Sequence, residues 1–174
     1  MKTPVTFSTS DATSHAPLIV RDRNGEYFSA QPEDILQAAR ALLERKLQGQ
    51  VFLDRPETVQ DYLRTRIGHL DHEVFGVVHL DAQHRMIKAE EMFRGSISQT
   101  SVYPREVVKD CLLSNSAAVI LYHNHPSGSP EPSRADEALT QQLKAALSLV
   151  DVRVLDHIVV TSTTTMSFAQ RGLI

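Results

Sequence analysis

The sequence predicts a mixed α/β domain, a largely β sheet with helices packed on it, and three observations carry that prediction. The run AAVILY, residues 117–122, is short, continuous and apolar, which suits a central strand buried on both faces. HEVFGVVHL (72–80) and RMIKAEEMFRG (85–95) are β-rich segments joined by the turn DAQH, so they should pair antiparallel. Helical patterns stand before, between and after these strands, which is the interleaving that puts helices against a sheet.

Taken in order, residues 1–15 are rich in Ser, Thr and Asp and predict a loose start. LIVRDRNGEYFS (18–29) reads as two short strands around Asn24-Gly25, a hairpin signal. From Pro32, apolar residues at Ile35, Leu36, Ala39, Leu42, Leu43 and Leu47 recur at helical spacing, and Gly49 is a plausible stop. PETVQDYLRTRIGHL (56–70) predicts a second helix, with Pro56 in its first turn and Val59, Leu63 and Ile67 on one face. SISQTSVY (96–103) continues as strand or loop, and PREVVKDCLLSN (104–115) is a helix opened by Pro104 and Glu106. RADEALTQQLKAALSLV (134–150) is a helix of strong formers preceded by Ser133, and Ser133-x-x-Asp136 resembles a capping box. VRVLDHIVVT (152–161) is a further strand, and MSFAQRGLI (166–174) a last strand or an irregular tail. Repeats and low-complexity tracts are absent. The expected organisation is an extension over residues 1–50 and a main domain over 51–174.

With 174 residues, 41% of them hydrophobic and 22% charged, the chain has an ordinary globular composition and enough length for one proper core. A net charge of −3 gives no general attraction to nucleic acid or to an anionic membrane, although a local basic patch could still form. The single cysteine, Cys111, excludes an internal disulfide and reads as a small buried residue within a helix. No apolar run approaches the roughly 18 residues that span a bilayer. The first fifteen residues lack the apolar core of a secretory signal, so the cytoplasm is the expected location and no membrane partner is expected.

The chemistry concentrates in HNHPSGSPEPSRAD, residues 123–136. In an extended segment, residues two apart point to the same side, so His123 and His125 project together while Asn124 faces away. Asp136, in the first turn of the following helix, can reach towards the same point. Two nitrogens and one oxygen leave a fourth tetrahedral position open for water, as catalytic zinc requires and a closed structural site does not. A surface loop ending in a simple helix cap is the bland reading of the same residues. HxH alone is weak, but its place between a buried strand and a capped helix makes the combination specific.

That pattern, HxHP with seven residues between His125 and Ser133 and then Asp136, resembles the JAMM signature of the MPN+ (JAB domain) metalloproteases. The variant HNHPSG-x-x-x-PS-x-x-D, with PREVV upstream and LDHIVV downstream, resembles the RadC branch of that superfamily, over roughly residues 35–160. The resemblance implies an MPN-type fold, cytidine-deaminase-like in outline; longer relatives carry an N-terminal helix-hairpin-helix module, and since the first fifty residues do not spell one, a short form is expected. It implies zinc held by His123, His125 and Asp136, with the Ser133 hydroxyl donating to the oxyanion of the reaction. It further implies a glutamate on an early strand that serves the activated water as general base, and Glu73, opening EVFGVVHLD, matches. Glu90 and Glu91 on the partner strand remain competing candidates. His157 in LDHIVV belongs to the family pattern, and a structural role and a role supporting a metal ligand both stay open. Asn124 is expected to orient the loop through backbone groups, and Arg105 and Glu106 to anchor a helix start. His79 shares a strand face with Glu73 but has no counterpart among the family's ligands. His15, His69 and His84 read as surface residues.

The implied activity is zinc-dependent hydrolysis of a peptide or isopeptide bond in a peptide or protein substrate. Two readings from other classes stand beside it. One is a DNA-repair or mobile-element accessory protein, which a basic groove leading to His123 would favour. The other is a binding module that keeps its metal for stability alone and has no use for a base at Glu73.

Overall fold

The computed structural model describes residues 18–21, 24–47, 56–95 and 101–174. The expectations for residues 1–15, for Gly49 and for most of SISQTSVY lie outside the described residues. The chain forms two compact units, Met1–Gln37 and Ala38–Ile174. In the first, β1 (Ile19–Arg21) and β2 (Tyr27–Ser29) pair antiparallel with Val20 opposite Phe28. Gly25 supplies the turn with φ of 90°, a backbone conformation that a side chain would strain. The Asn24-Gly25 hairpin is thus where the turn chemistry places it. Helix α1 covers Pro32–Leu47.

The second unit is built on one five-stranded mixed sheet in the order β4-β3-β5-β6-β7. Its strands are β3 (Val74–Leu80), β4 (Met86–Arg94), β5 (Ala118–Asn124), β6 (Arg153–Val160) and β7 (Thr165–Ser167). Pairing is antiparallel for β3 with β4, β3 with β5 and β6 with β7, and parallel for β5 with β6. The parallel pair needs a crossover, and α4 (Arg134–Ser148) provides it. Helix α2 (Pro56–Ile67) covers one face of the sheet: Val59, Tyr62, Leu63 and Ile67 meet Val78, Leu80, Ile120, Tyr122 and Ile158. On the other face α3 (Pro104–Leu113) and α4 place Val107, Cys111, Leu143 and Leu147 against Phe75, Val77, Val119 and Leu121. Every residue of β3 and β5 is buried, as the continuous apolar runs require. Among the described residues, no helix is long and apolar enough to cross a membrane.

Several elements differ from their predicted bounds for identifiable reasons. Helix α2 ends at Ile67 rather than Leu70. Gly68 closes its last turn, and a Cβ there would lie 2.8 Å from the Thr161 carbonyl. Strand β5 runs two residues beyond AAVILY, through His123 and Asn124, because Asn124 still pairs with Val160 of β6. Cys111 is fully buried, and burial pushes its thiol up to about 12, so it is packing rather than a nucleophile. His79 lies at the far end of β3 from Glu73, with Nδ1 2.8 Å from Ser116 Oγ and Nε2 2.8 Å from Asp110 Oδ2. It ties α3 to the sheet.

Gly76 shows how tightly β4, β3 and β5 are fitted. The Tyr122 ring crosses β3 above it, and the Tyr122 hydroxyl donates to the Glu90 carbonyl at 3.0 Å. A Cβ at position 76 would overlap that ring and lie 2.5 Å from the Glu90 carbonyl oxygen. Gly76→Ala is therefore expected to destabilise the domain by about 1–3 kcal/mol, the usual cost of overpacking a core. Urea unfolding of the two proteins checks it, and an unchanged midpoint would show that Tyr122 can move away.

Candidate metal centre

The centre lies at the carboxyl end of β5, on the sheet face that α3 and α4 cover. Antiparallel register sets His123 opposite Phe75, and the same alternation carries Glu73 and His125 onto that face. His123 is the penultimate residue of β5, and His125 follows the strand, its backbone N–H donating to the Val160 carbonyl at 2.8 Å. Asp136 comes from the first turn of α4. The position of that turn is fixed by a complete capping box: Asp136 N–H donates to Ser133 Oγ at 3.2 Å, and Ser133 N–H donates to Asp136 Oδ2 at 2.7 Å. The Ser133 hydroxyl also donates to Oδ2, at 2.7 Å. With Oδ2 so engaged, Oδ1 is the carboxylate oxygen left to face His123.

The three side chains converge. His123 Nε2 is 2.9 Å from His125 Nε2 and 3.4 Å from Asp136 Oδ1, and His125 Nε2 is 3.6 Å from Asp136 Oδ2. Donors bound to a tetrahedral ion at about 2.1 Å stand about 3.4 Å apart, so these spacings fit one metal ion. The donor chemistry fits as well. His125 Nδ1 lies 2.8 Å from the Ser129 carbonyl, which can only accept, so Nδ1 carries the proton and neutral Nε2 offers a lone pair. Near-complete burial pushes His123 down to about 4, against the pull of Asp136, and keeps it in the neutral form that ligates. Burial alone would raise the Asp136 carboxyl. The neighbouring His125 and His123 and the Ser133 groups outweigh it and hold the carboxyl below the usual range. His125 is raised mainly by the Asp136 carboxylate 3.6 Å from its Nε2, and a carboxylate that stabilises positive charge there favours a metal cation too. His123, His125 and Asp136 can therefore hold a metal ion.

A cavity of about 500 Å³ opens over these donors, with Glu73 and Ser133 on its wall beside Phe75, Val102 and Leu139. Glu73 directly precedes β3, and its carbonyl accepts from Gly95 N–H at 2.8 Å. Asn124, buried and pointing away from the two histidines, binds the backbone on both sides of it. Its Oδ1 accepts from Val74 N–H at 2.7 Å and its Nδ2 donates to the His72 carbonyl at 2.9 Å. The expected backbone role of Asn124 thus falls on the segment that carries Glu73. Glu90 and Glu91 line a different cavity, between β4 and α3; Lys88 lies 2.8 Å from Glu90, and Arg66 of α2 lies 3.0 Å from Glu91. Arg105 is exposed at the start of α3, 3.3 Å from Glu106, and that helix start carries no side-chain cap hydrogen bond.

Two residues behind the cluster carry more than their sequence suggested. His157 is fully buried on β6, with Nε2 2.8 Å from His123 Nδ1 and Nδ1 2.6 Å from Thr140 Oγ1. Thr140 stands one turn after Asp136 on α4. The i, i+4 spacing from Asp136 was the available signal for it, and the family position of His157 was the signal for the other.

Comparison with known proteins places the chain in a family. A family model described as RadC-like JAB domain matches residues 53–173, a span that holds every residue of the cluster. Proteins named UPF0758 protein are similar over most of the chain. The one from Leptothrix cholodnii is 59% identical over 140 residues, covering 80% of this chain and 63% of its own length. The one from Polaromonas sp. is 56% identical, covering 80% and 62%. That of Variovorax paradoxus is 51% identical over 156 residues, covering 90% and 69%. The chain thus spans about 62–69% of the length of these relatives.

Proposed function

The chain belongs to the RadC-like JAB domain family, and from that membership and the three-donor cluster we propose that it is a zinc-dependent hydrolase of peptide or isopeptide bonds. The observation that supports this most is the meeting of His123, His125, Asp136, Glu73 and Ser133 around one cavity. Two imidazole nitrogens and one carboxylate oxygen favour zinc among the common metals and leave a position open. Zinc, if bound by these residues, would supply an acidified water, with a pKa brought towards about 7, and a polarised carbonyl. The residues of the chain supply the rest. Glu73 takes the proton of the attacking water and returns it to the leaving amine, a general base turned general acid. The Ser133 hydroxyl turns from Asp136 Oδ2 to donate to the oxyanion as the carbonyl carbon becomes tetrahedral. Phe75, Val102 and Leu139 form the apolar wall that excludes water from the reacting bond. The substrate is a peptide or a protein, met in the cytoplasm.

Metal analysis of protein purified without a histidine tag tests the proposal, with about one zinc per chain as the expected content. Exhaustive treatment with a chelator should then abolish cleavage of peptide substrates while leaving a cooperative thermal transition. Two extended apolar cores hold α2, α3 and α4 to the sheet, unlike a small zinc finger whose folding depends on its ion. Loss of the transition on chelation would make the ion structural. Metal-dependent DNA cleavage without peptide cleavage would move the function to nucleic acid.

A further inference from the structure

We infer that Thr140 and His157 are positioning residues that fix His123 in the one tautomer able to bind a metal. The chain of contacts begins at a group of known polarity. The main-chain carbonyl of Asp136 can only accept, and Thr140 Oγ1 lies 2.6 Å from it, so the single hydroxyl proton is used there. The same hydroxyl oxygen lies 2.6 Å from His157 Nδ1 and can then only accept, so His157 carries its proton on Nδ1. A neutral ring has one such proton. His157 Nε2 is therefore bare and accepts from His123 Nδ1 at 2.8 Å. His123 in turn is protonated on Nδ1, and its Nε2 presents a lone pair towards His125 and Asp136.

The surroundings of His157 keep that polarity. Its ring is fully buried, stacked on Phe168 at 4.7 Å between centroids and met edge-on by Phe75 at 5.8 Å. An apolar sandwich of this kind opposes a charged imidazolium, so a ring whose one proton is given to Thr140 from Nδ1 has no second proton to give to His123. The relay also joins two of the ligands: it runs from His123 on β5 through β6 to α4, and ends on the backbone of Asp136 itself. The distance between the ligands is thereby tied to the packing of α4 on the sheet. This assignment rests on the cluster being a metal centre, and it is independent of which bond is hydrolysed.

Long-range proton–nitrogen NMR of the metal-free protein at neutral pH reads the tautomers directly. His123, His125 and His157 should all appear protonated on Nδ1. Zinc affinity, measured by competition with a chromophoric chelator, should fall about 10–100-fold in Thr140→Val, which keeps the shape but removes the hydroxyl. Thr140→Ser restores the hydroxyl and should bind zinc like the wild type. His157→Phe should weaken binding to the same degree as Thr140→Val. A wild-type His123 protonated on Nε2 would overturn the assignment, as would a folded Thr140→Val variant that binds zinc as tightly as the wild type. Should the wild type bind no zinc, the hydrolase proposal fails, while the tautomers still decide the relay.

Discussion

Glu73→Gln is expected to keep its zinc and to lose about 10²–10⁴ in turnover, the range that general base catalysis contributes. Glutamine preserves the size of the side chain and its hydrogen bonding but cannot take a proton. Asn124 holds the main chain at His72 and Val74, on either side of the substituted residue, so the backbone there has no reason to move. No other carboxylate named as a candidate base stands ready to replace it. Glu90 is paired with Lys88 and Glu91 with Arg66, and both line another cavity. Metal content and turnover measured on the same preparation check the prediction. Wild-type turnover in Glu73→Gln would place the base elsewhere, and lost zinc would make Glu73 a ligand instead.

Removing both imidazoles from the cluster should have the largest effect of all. In the double variant His123→Ala, His125→Ala only Asp136 remains, and its Oδ2 is already occupied by Ser133. Zinc content should fall from about one per chain to background, and hydrolysis with it. A stability cost of about 1–3 kcal/mol should accompany the loss, because His157 Nε2 keeps its buried position without a partner. Elemental analysis and thermal unfolding separate the two consequences. Equal zinc in variant and wild type would remove these histidines from the metal centre.

The parts of the molecule that local physics controls were legible in the sequence. AAVILY announced a strand buried on both faces, and β5 lies between β3 and β6 with every residue covered. Ser133-x-x-Asp136 announced a helix start, and both halves of the capping box form. HxH announced two imidazoles on one face, and their Nε2 atoms stand 2.9 Å apart. What the sequence concealed depends on pairing between distant segments. The extension of β5 through His123 and Asn124 looks like the beginning of a loop until β6 is present to pair with it. Thr140 is one hydroxyl among many on a helix until α4 packs on β6 and brings it to His157. His157 itself acquires a partner only through the parallel register of β5 with β6, where it neighbours Leu121 two residues before His123. Glu73 was separable from Glu90 and Glu91 by resemblance. The register places it physically, because pairing Phe75 with His123 carries residue 73 towards the cluster and leaves the other two on β4.

The proposed chemistry, amide hydrolysis by Glu73 at a zinc held by His123, His125 and Asp136, requires a substrate that only wild-type protein can cleave. Mass spectrometry of new protein termini and released isopeptide-linked partners, in lysate incubated with zinc-loaded wild type or with zinc-loaded Glu73→Gln, asks for it directly. The account predicts a defined set of cleaved proteins with the wild type, absent from the Glu73→Gln sample and abolished by chelation. The same cleavage pattern in both samples, or none in either while DNA is cut in a metal-dependent way, would contradict it.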